Sequence, residues 1–144
     1  MLEDVYVAGV GMHPFGKHGK SNKEMAYVAG KAALKDAGIK FRDVGALYNG
    51  YIMGDMTEGV TIAKDLGLTG LPVVHVENAS ATGSTAFREA CLRVASGQAD
   101  IAMALGFDDI VRMGQMMMQM FAAQGPRIES MVLPAAFFAM WAVR

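Results

Sequence analysis

The sequence contains one cysteine, Cys91, and no run of apolar residues as long as a membrane-spanning helix. A single thiol cannot form a disulfide within the chain, and with no second cysteine at close spacing it cannot form a metal cluster. A spanning helix needs about 20 consecutive apolar residues. We therefore expect no disulfide, no metal site and no membrane span, and we place the protein in the reducing cytoplasm.

An excess of positive charge is also absent, because 13 lysines and arginines stand against 14 aspartates and glutamates, a formal net charge of −1. Binding to nucleic acid or to an anionic membrane surface depends on clustered positive charge, so no nucleic-acid partner is expected. The amino terminus carries Glu3 and Asp4 where an export signal would carry lysine or arginine. Nothing there predicts export.

The chain has the composition of a folded domain, with 144 residues of which 53% are hydrophobic and 19% charged. This length is sufficient for one domain with a sizeable core. The last stretch, "LPAAFFAMWAVR", has the pattern of an apolar helix over 134–144, and nothing after it could cover its aromatic side chains. We therefore expect the chain to be part of a larger protein.

Four short apolar stretches alternate with three helical patterns in residues 4–107. Nearly continuous apolar strands that alternate with helices are typical of a parallel sheet. The sequence therefore predicts an α/β fold, with a mostly parallel sheet and helices on both of its faces. The predicted strands are 4–10, 44–52, 71–76 and 99–107, and the predicted helices are 22–37, 55–66 and 81–96.

Local signals support two helix starts and one helix end. Ser21–Glu24 and Asp55–Glu58 both have the spacing of a capping box. Gly38 follows the first helical pattern, at a position where glycine relieves the strain of a left-handed residue. "GVGMHPFG", residues 9–16, is not a dinucleotide-binding motif, because the next helix begins only near residue 22. We expect structural roles for His13, which lies in this loop, and for His75, which lies in the predicted strand 71–76.

The pattern changes after Phe107, and we predict a domain boundary there, with 1–107 as one domain and 108–144 as the start of a second. A short helix is expected over 111–122, which includes a dense methionine cluster around Met117. Flexible thioethers suit irregular apolar surfaces. Two interpretations remain open, namely gap-filling in a core or subunit contact, and binding of an apolar ligand.

The stretch "VVHVENASATGSTAF" places Ser80 between a predicted strand and a predicted helix. A serine at this position is either an ordinary helix N-cap or a nucleophile whose flanking amides stabilise a developing oxyanion. The sequence around it is not the G-x-S-x-G elbow. Cys91 is not an alternative nucleophile, because eleven residues of helix separate it from Ser80 by roughly 16 Å, and we expect it to be a packed core thiol.

Five stretches together resemble the amino-terminal half of thiolases, specifically those of the sterol-carrier-protein-X or lipid-transfer-protein type. They are "YVAGVGMHPFGK", "GKAALKDAGI", "NGYIMGD", "LGLTGLPVVHVENASATGSTAF" and "ADIAMALGFDDI". They stand in the family's order from about residue 5 to residue 110. The resemblance implies the first of two similar halves of a five-layered αβαβα fold, followed by the beginning of an inserted loop domain.

The resemblance also implies an activity, the transfer of acyl groups between fatty-acyl or sterol-derived thioesters and coenzyme A. Coenzyme A is then a co-substrate, no cofactor is tightly bound, and the protein is a homodimer or tetramer or associates with a second subunit. In the family a cysteine accepts the acyl group, and Ser80 occupies that position here. Ala81 and Gly83 would supply amides to the thioester oxygen, and Met117 would contact the substrate.

Serine in place of cysteine leaves three explanations open. It is a replacement introduced to trap a ligand, or it belongs to a protein that binds acyl-CoA or cleaves carbon–carbon bonds by a retro-aldol step, or it marks a subunit that only supports a partner. The family's activating histidine and second cysteine come from the other half and are not in this sequence. Asp108 and Asp109, at the exit of the last predicted strand, are expected to be solvated acids, with a catalytic base as the alternative.

Overall fold

The computed structural model describes residues 3–67 and 69–122. The chain divides into two compact units, one up to Asp108 and one from Asp109. Within the described ranges no helix is long and apolar enough to cross a membrane. The apolar helix predicted over 134–144 lies outside the described residues. The elements are α1 (Asn22–Asp36), β1 (Ala46–Gly50), α2 (Glu58–Leu66), β2 (Val73–Val76), α3 (Thr82–Ala95), β3 (Ala102–Gly106) and α4 (Ile110–Ala122).

The three strands form one parallel sheet in the order β2-β1-β3. The central strand β1 pairs Asn49 with His75 of β2 and Gly50 with Gly106 of β3. Because all strands run the same way, their carboxyl ends meet at one edge of the sheet, and the loops that follow them lie together. The predicted α/β class and parallel sheet are confirmed.

The two faces of the sheet carry different side chains. On one face, Leu47 and Met103 belong to the main core with residues of α1 and α2. On the other face, α3 packs over small residues of β1 and β3, such as Ala46 and Gly50. Helices therefore cover both faces, as the sequence predicts, and the face under α3 carries alanine and glycine, with Tyr48 as the one large residue of β1 on that side.

The first predicted strand, 4–10, is wrong, because residues 3–20 contain no helix or strand. Val10 N–H donates to the carboxylate of Asp36 at 2.9 Å instead of to a neighbouring strand. A Cβ added at Gly11 would collide with the carbonyl oxygen of Ala29 in α1. The segment lies against the helix, and an apolar pattern alone does not distinguish such an extended segment from a strand.

The start of α1 follows the sequence signal closely. The Glu24 carboxylate accepts hydrogen bonds from the backbone N–H and the hydroxyl of Ser21, both at 2.9 Å, and the Ser21 oxygen accepts from Glu24 N–H at 3.3 Å. The Ser21 backbone N–H, followed by its hydroxyl, lowers the pKa of Glu24. After the helix, Gly38 has a φ of +69°. The predicted capping box and the glycine terminus are both confirmed.

Helix α2 begins three residues later than predicted, at Glu58. Asp55 N–H donates to the Glu58 carboxylate at 2.9 Å, so one half of the second capping box forms. The helix does not extend back to Asp55 because its N-cap, Thr57, has a φ of +70°. A left-handed residue cannot continue a right-handed helix.

The loop that follows β1 is held by Asp108, two residues after the end of β3. Its carboxylate accepts from Ile52 N–H at 2.9 Å and from Met53 N–H at 2.8 Å, and all three residues are partly buried. Asp108 therefore joins the carboxyl ends of two neighbouring strands, and the expectation of a solvated acid was wrong for this residue.

We expect Asp108→Ala to lower the free energy of unfolding by about 2 kcal/mol, because two partly buried amides lose a charged acceptor. Urea denaturation at pH 7 measures the change. Asp100→Ala is the matched control, since Asp100 is exposed and close in sequence. Equal stability of the two variants would contradict the role given to Asp108.

Candidate functional site

Ser80 lies in a 3-10 turn, Ala79–Ala81, that leads directly into α3. The N-cap residue of this turn is Asn78, and that of α3 is Ala81. Ser80 is exposed, and no hydrogen bond of its hydroxyl is found among the described residues. The ordinary N-cap interpretation of Ser80 is therefore wrong, and its hydroxyl is available for another role.

The turn sits close to the sheet because glycine lines the end of β1. A Cβ added at Gly50 would lie 3.0 Å from both the γ-methyl and the carbonyl oxygen of Thr82. A Cβ added at Gly106, the paired residue of β3, would lie 3.9 Å from the Cα of Gly83. Gly50 thus lets the first turn of α3 rest on the carboxyl end of β1, while a Cβ at Gly106 would make only an ordinary contact with that turn. Any larger residue at position 50 would push the turn that carries Ser80.

The backbone just before Ser80 is strained. Ala79 has a φ of +45°, a region that costs a residue with a Cβ of the order of 1 kcal/mol or more. Its N–H donates to the Glu77 carboxylate at 2.6 Å, and its carbonyl accepts from the Thr82 hydroxyl at 2.7 Å. The strained residue is therefore held by hydrogen bonds on both of its polar groups.

A second set of hydrogen bonds closes the turn. Thr82, which is 5% exposed, accepts from Asn78 N–H at 2.8 Å through its hydroxyl oxygen. The Asn78 side-chain amide donates to the Thr85 hydroxyl at 3.0 Å, which itself donates to the Ala81 carbonyl at 2.9 Å. Among the described residues these side chains, and not Ser80, bond the Asn78 N–H and the Ala79 and Ala81 carbonyls.

One of the two amides predicted to face a substrate oxygen is already engaged. Ala81 N–H donates to the Asn78 carbonyl at 2.9 Å. Gly83, the second residue of α3, is exposed and remains the candidate donor. The N-terminus of a 14-residue helix adds a favourable potential for negative charge there.

The remaining candidate residues are placed as follows. Met117 belongs to α4, in the second unit, and its side chain lies outside the described residues. Asp109 accepts from the N–H groups of Val111 and Arg112 at 3.0 Å and so starts α4, which confirms the predicted short helix. Asp108 is occupied by the loop after β1. Neither aspartate is positioned by a hydrogen bond to Ser80.

The cysteine and the histidines do not join Ser80 either. Cys91 lines a cavity of about 360 Å³ beside β3. It was expected to be a packed core thiol, but it is only half-buried. His75 bonds the Tyr51 carbonyl at 2.8 Å and stacks on its ring, and His13 bonds the Pro14 carbonyl at 2.8 Å. Both rings are thus held by backbone carbonyls, and the structural roles expected for them stay predictions. Among the described residues no three potential metal ligands form a cluster.

Sequence reasoning missed the residues that shape the turn, Gly50, Asn78 and Thr82. Asn78 and Thr82 each lie two positions from Ser80. Asparagine and threonine side chains both bond nearby backbone groups. That signal was readable from the sequence. The role of Gly50 was not, because it depends on a contact between residues 32 positions apart.

Comparison with known proteins places this geometry in a family. The family described as "Thiolase, N-terminal domain" matches residues 5–134. Sterol carrier protein 2 of Bos taurus is 43% identical over 112 residues, which are 75% of this chain and 21% of that protein. The chain thus spans about a fifth of the length of this relative.

Two solved structures share the fold. Acetyl-CoA acetyltransferase from Syntrophomonas wolfei superposes with a TM-score of 0.61 at 20% identity, over 69% of this chain and 27% of that chain. The Ltp2-ChsH2(DUF35) aldolase superposes with a TM-score of 0.55 at 27% identity, over 64% of this chain and 24% of that one. The family match covers far more than half of the sequence, so the chain belongs to the thiolase family, in its amino-terminal domain.

Proposed function

We propose that this chain is the amino-terminal part of an acyl-CoA acyltransferase of the thiolase fold, acting on fatty-acyl or sterol-derived CoA thioesters. Ser80 takes the acyl group in this proposal, and coenzyme A is the co-substrate, with no tightly bound cofactor. The observation that carries the proposal is the exposed Ser80 at the head of α3, for whose hydroxyl no hydrogen bond is found within residues 3–67 and 69–122.

The surroundings of Ser80 suit a carbonyl that becomes an oxyanion. The amino-terminal end of α3 favours negative charge at this place, and the exposed Gly83 is the amide expected to donate there. When the serine oxygen attacks the thioester carbonyl, an ester bond forms, the carbon–sulfur bond breaks, and the CoA thiolate leaves with the proton of the hydroxyl. The group that moves this proton would come from residues outside the described ones.

Serine changes the second half of the reaction more than the first. An oxygen ester returns its acyl group to a thiol less readily than a thioester does, since the alkoxide is a much poorer leaving group than a thiolate. We therefore expect the acyl-serine to persist once formed. Thiolytic turnover would be slow, and the acyl-enzyme would be directly observable.

The natural polypeptide is here the longer one of which this chain would be the amino-terminal part. Its mass spectrum after incubation with octanoyl-CoA tests the proposal. The expected result is one octanoyl group on the peptide containing Ser80 and one released CoA per chain. Ser80→Ala should remove the adduct. Ser84→Ala is the matched control and should keep it, because the Ser84 hydroxyl is already engaged with the Ala81 carbonyl at 2.9 Å. An adduct that survives Ser80→Ala, or none in the natural polypeptide, would overturn the proposal.

A second candidate is carbon–carbon cleavage by a retro-aldol step. Two observations favour it: the serine at the nucleophile position, and the 27% identity to a solved structure described as an aldolase. The same incubation with a 3-hydroxyacyl-CoA distinguishes the two. Release of a carbonyl compound with no adduct on Ser80 supports the aldolase, and an adduct with no such release supports the acyltransferase.

The expected partners and compartment extend the same proposal. The outer edge of β2, where His75 is exposed, would face a second copy of the chain or a second subunit, as in the oligomers that the resemblance implies. The single unpaired cysteine fits the reducing cytoplasm as the compartment. Sedimentation of the natural polypeptide would report the oligomeric state.

A further inference from the structure

We propose that Thr82 is a positioning residue, which holds the turn before α3 so that residue 80 stays at the amino-terminal end of that helix. The inference rests on the proposed function of Ser80, because it concerns how that side chain is presented. It adds a residue that neither composition nor the family resemblance singles out.

The Thr82 hydroxyl joins both sides of the strained residue Ala79. It donates to the Ala79 carbonyl at 2.7 Å and accepts from Asn78 N–H at 2.8 Å. These two bonds use its only proton and one of its lone pairs. A single buried hydroxyl thus closes the turn on either side of the left-handed Ala79.

Packing fixes the orientation of this hydroxyl. Thr82 is 5% exposed, and its γ-methyl lies against the Gly50 position at the end of β1. Threonine has a stiff χ1 because its Cβ is branched. When the methyl is fixed by the sheet, the hydroxyl can point only towards the turn, so contact with the sheet and geometry of the turn are linked through one side chain.

Loss of the hydroxyl is expected to move residue 80. Without it, Asn78 N–H loses its partner, and the Ala79 carbonyl keeps only the backbone N–H of Thr82. Two of the hydrogen bonds that hold Ala79 at a φ of +45° are then lost. A relaxed Ala79 rotates the next residue away from its place at the amino-terminal end of α3. The hydroxyl of Thr82 therefore acts on residue 80 through the backbone, and not by touching a substrate.

The test uses a thiol at position 80 as a reporter of its surroundings. The parent is the 144-residue chain with Ser80→Cys and Cys91→Ala, and the thiol at position 80 is then its only one. Its rate of alkylation by iodoacetamide is followed against pH, which gives the thiol pKa. Thr82→Val removes the hydroxyl but keeps the shape, and Thr82→Ser keeps the hydroxyl but loses the methyl. Ala90→Gly disturbs α3 at a buried residue away from the turn and controls for lost stability.

In the parent we expect a pKa below the ordinary value of about 8.5, because the helix amino terminus stabilises the thiolate. Thr82→Val should raise this pKa by about one unit, so that alkylation near pH 7 slows roughly tenfold as the thiolate fraction falls. Thr82→Ser and Ala90→Gly should leave the pH profile close to that of the parent.

Each other outcome has a distinct meaning. A low parent pKa that Thr82→Val leaves unchanged overturns the role of Thr82 and leaves the proposed function standing. An ordinary parent pKa counts against both. If Thr82→Val does not fold, Ala79→Gly is added, because glycine adopts a positive φ without strain. This double variant should then fold with a pKa closer to the parent's, and failure of Ala79→Gly to restore either property overturns the proposal.

Discussion

Replacing Ser80 by cysteine in the natural polypeptide is expected to raise its rate of thiolysis by about a hundredfold or more. A thiol with a pKa near 8.5 gives an appreciable thiolate fraction at neutral pH, whereas a serine hydroxyl gives almost none. The thioester that forms is also nearly equal in energy to acyl-CoA, so the acyl group returns readily to coenzyme A. Both halves of the reaction therefore gain from sulfur.

The measurement is the release of acetyl-CoA from a 3-ketoacyl-CoA in the presence of free coenzyme A. Ser84→Cys is the matched control, since residue 84 lies in the first turn of α3, four residues after Ser80, and its hydroxyl bonds the Ala81 carbonyl. We expect no gain from this control. An unchanged rate in Ser80→Cys would show that the site is not a thiolase site blunted by its serine, and the aldolase alternative would then be preferred.

Features that depend on neighbouring residues were predicted well from the sequence. The capping box at Ser21 and the terminus at Gly38 were both correct, because each involves backbone groups only three to five residues away. The alternation of apolar strands and helices gave the parallel sheet for the same reason, since each element carries its own periodicity. Boundaries of the central elements were within a few residues.

Features that depend on distant contacts were not predicted. The segment 4–10 has the composition of a strand, but strand formation needs a paired neighbour, and here the segment lies against α1. Asp108 was expected to be solvated, because its partners, Ile52 and Met53, are more than 50 residues away in sequence. For the candidate site, the family resemblance pointed to Ser80. That its hydroxyl is not used as a helix cap could be seen only in the structure, where the Thr82 hydroxyl bonds the polar groups of the turn instead.

Gly50→Val is expected to lower the free energy of unfolding by about 3 kcal/mol and to displace the turn that carries Ser80. Two effects oppose each other at this position. Valine favours a strand over glycine by up to about 1 kcal/mol. Even the Cβ, however, would lie 3.0 Å from the γ-methyl and the carbonyl oxygen of Thr82, and valine adds two further methyl groups. Because the carbonyl oxygen belongs to the helix backbone, it cannot move alone, and the packing cost prevails.

The neighbouring strand offers a matched control. Gly106 is paired with Gly50 in the sheet, but a Cβ there would meet its nearest atoms at 3.9 Å, an ordinary contact. Gly106→Ala should therefore leave stability within about 0.5 kcal/mol, while Gly50→Ala should already be destabilising and Gly50→Val more so. Urea denaturation measures all three, and alkylation of a thiol at position 80 reports the turn. If Gly50→Val were as stable as the natural chain, α3 would not rest on β1 as described, and the close approach of the Ser80 turn to the sheet would be wrong.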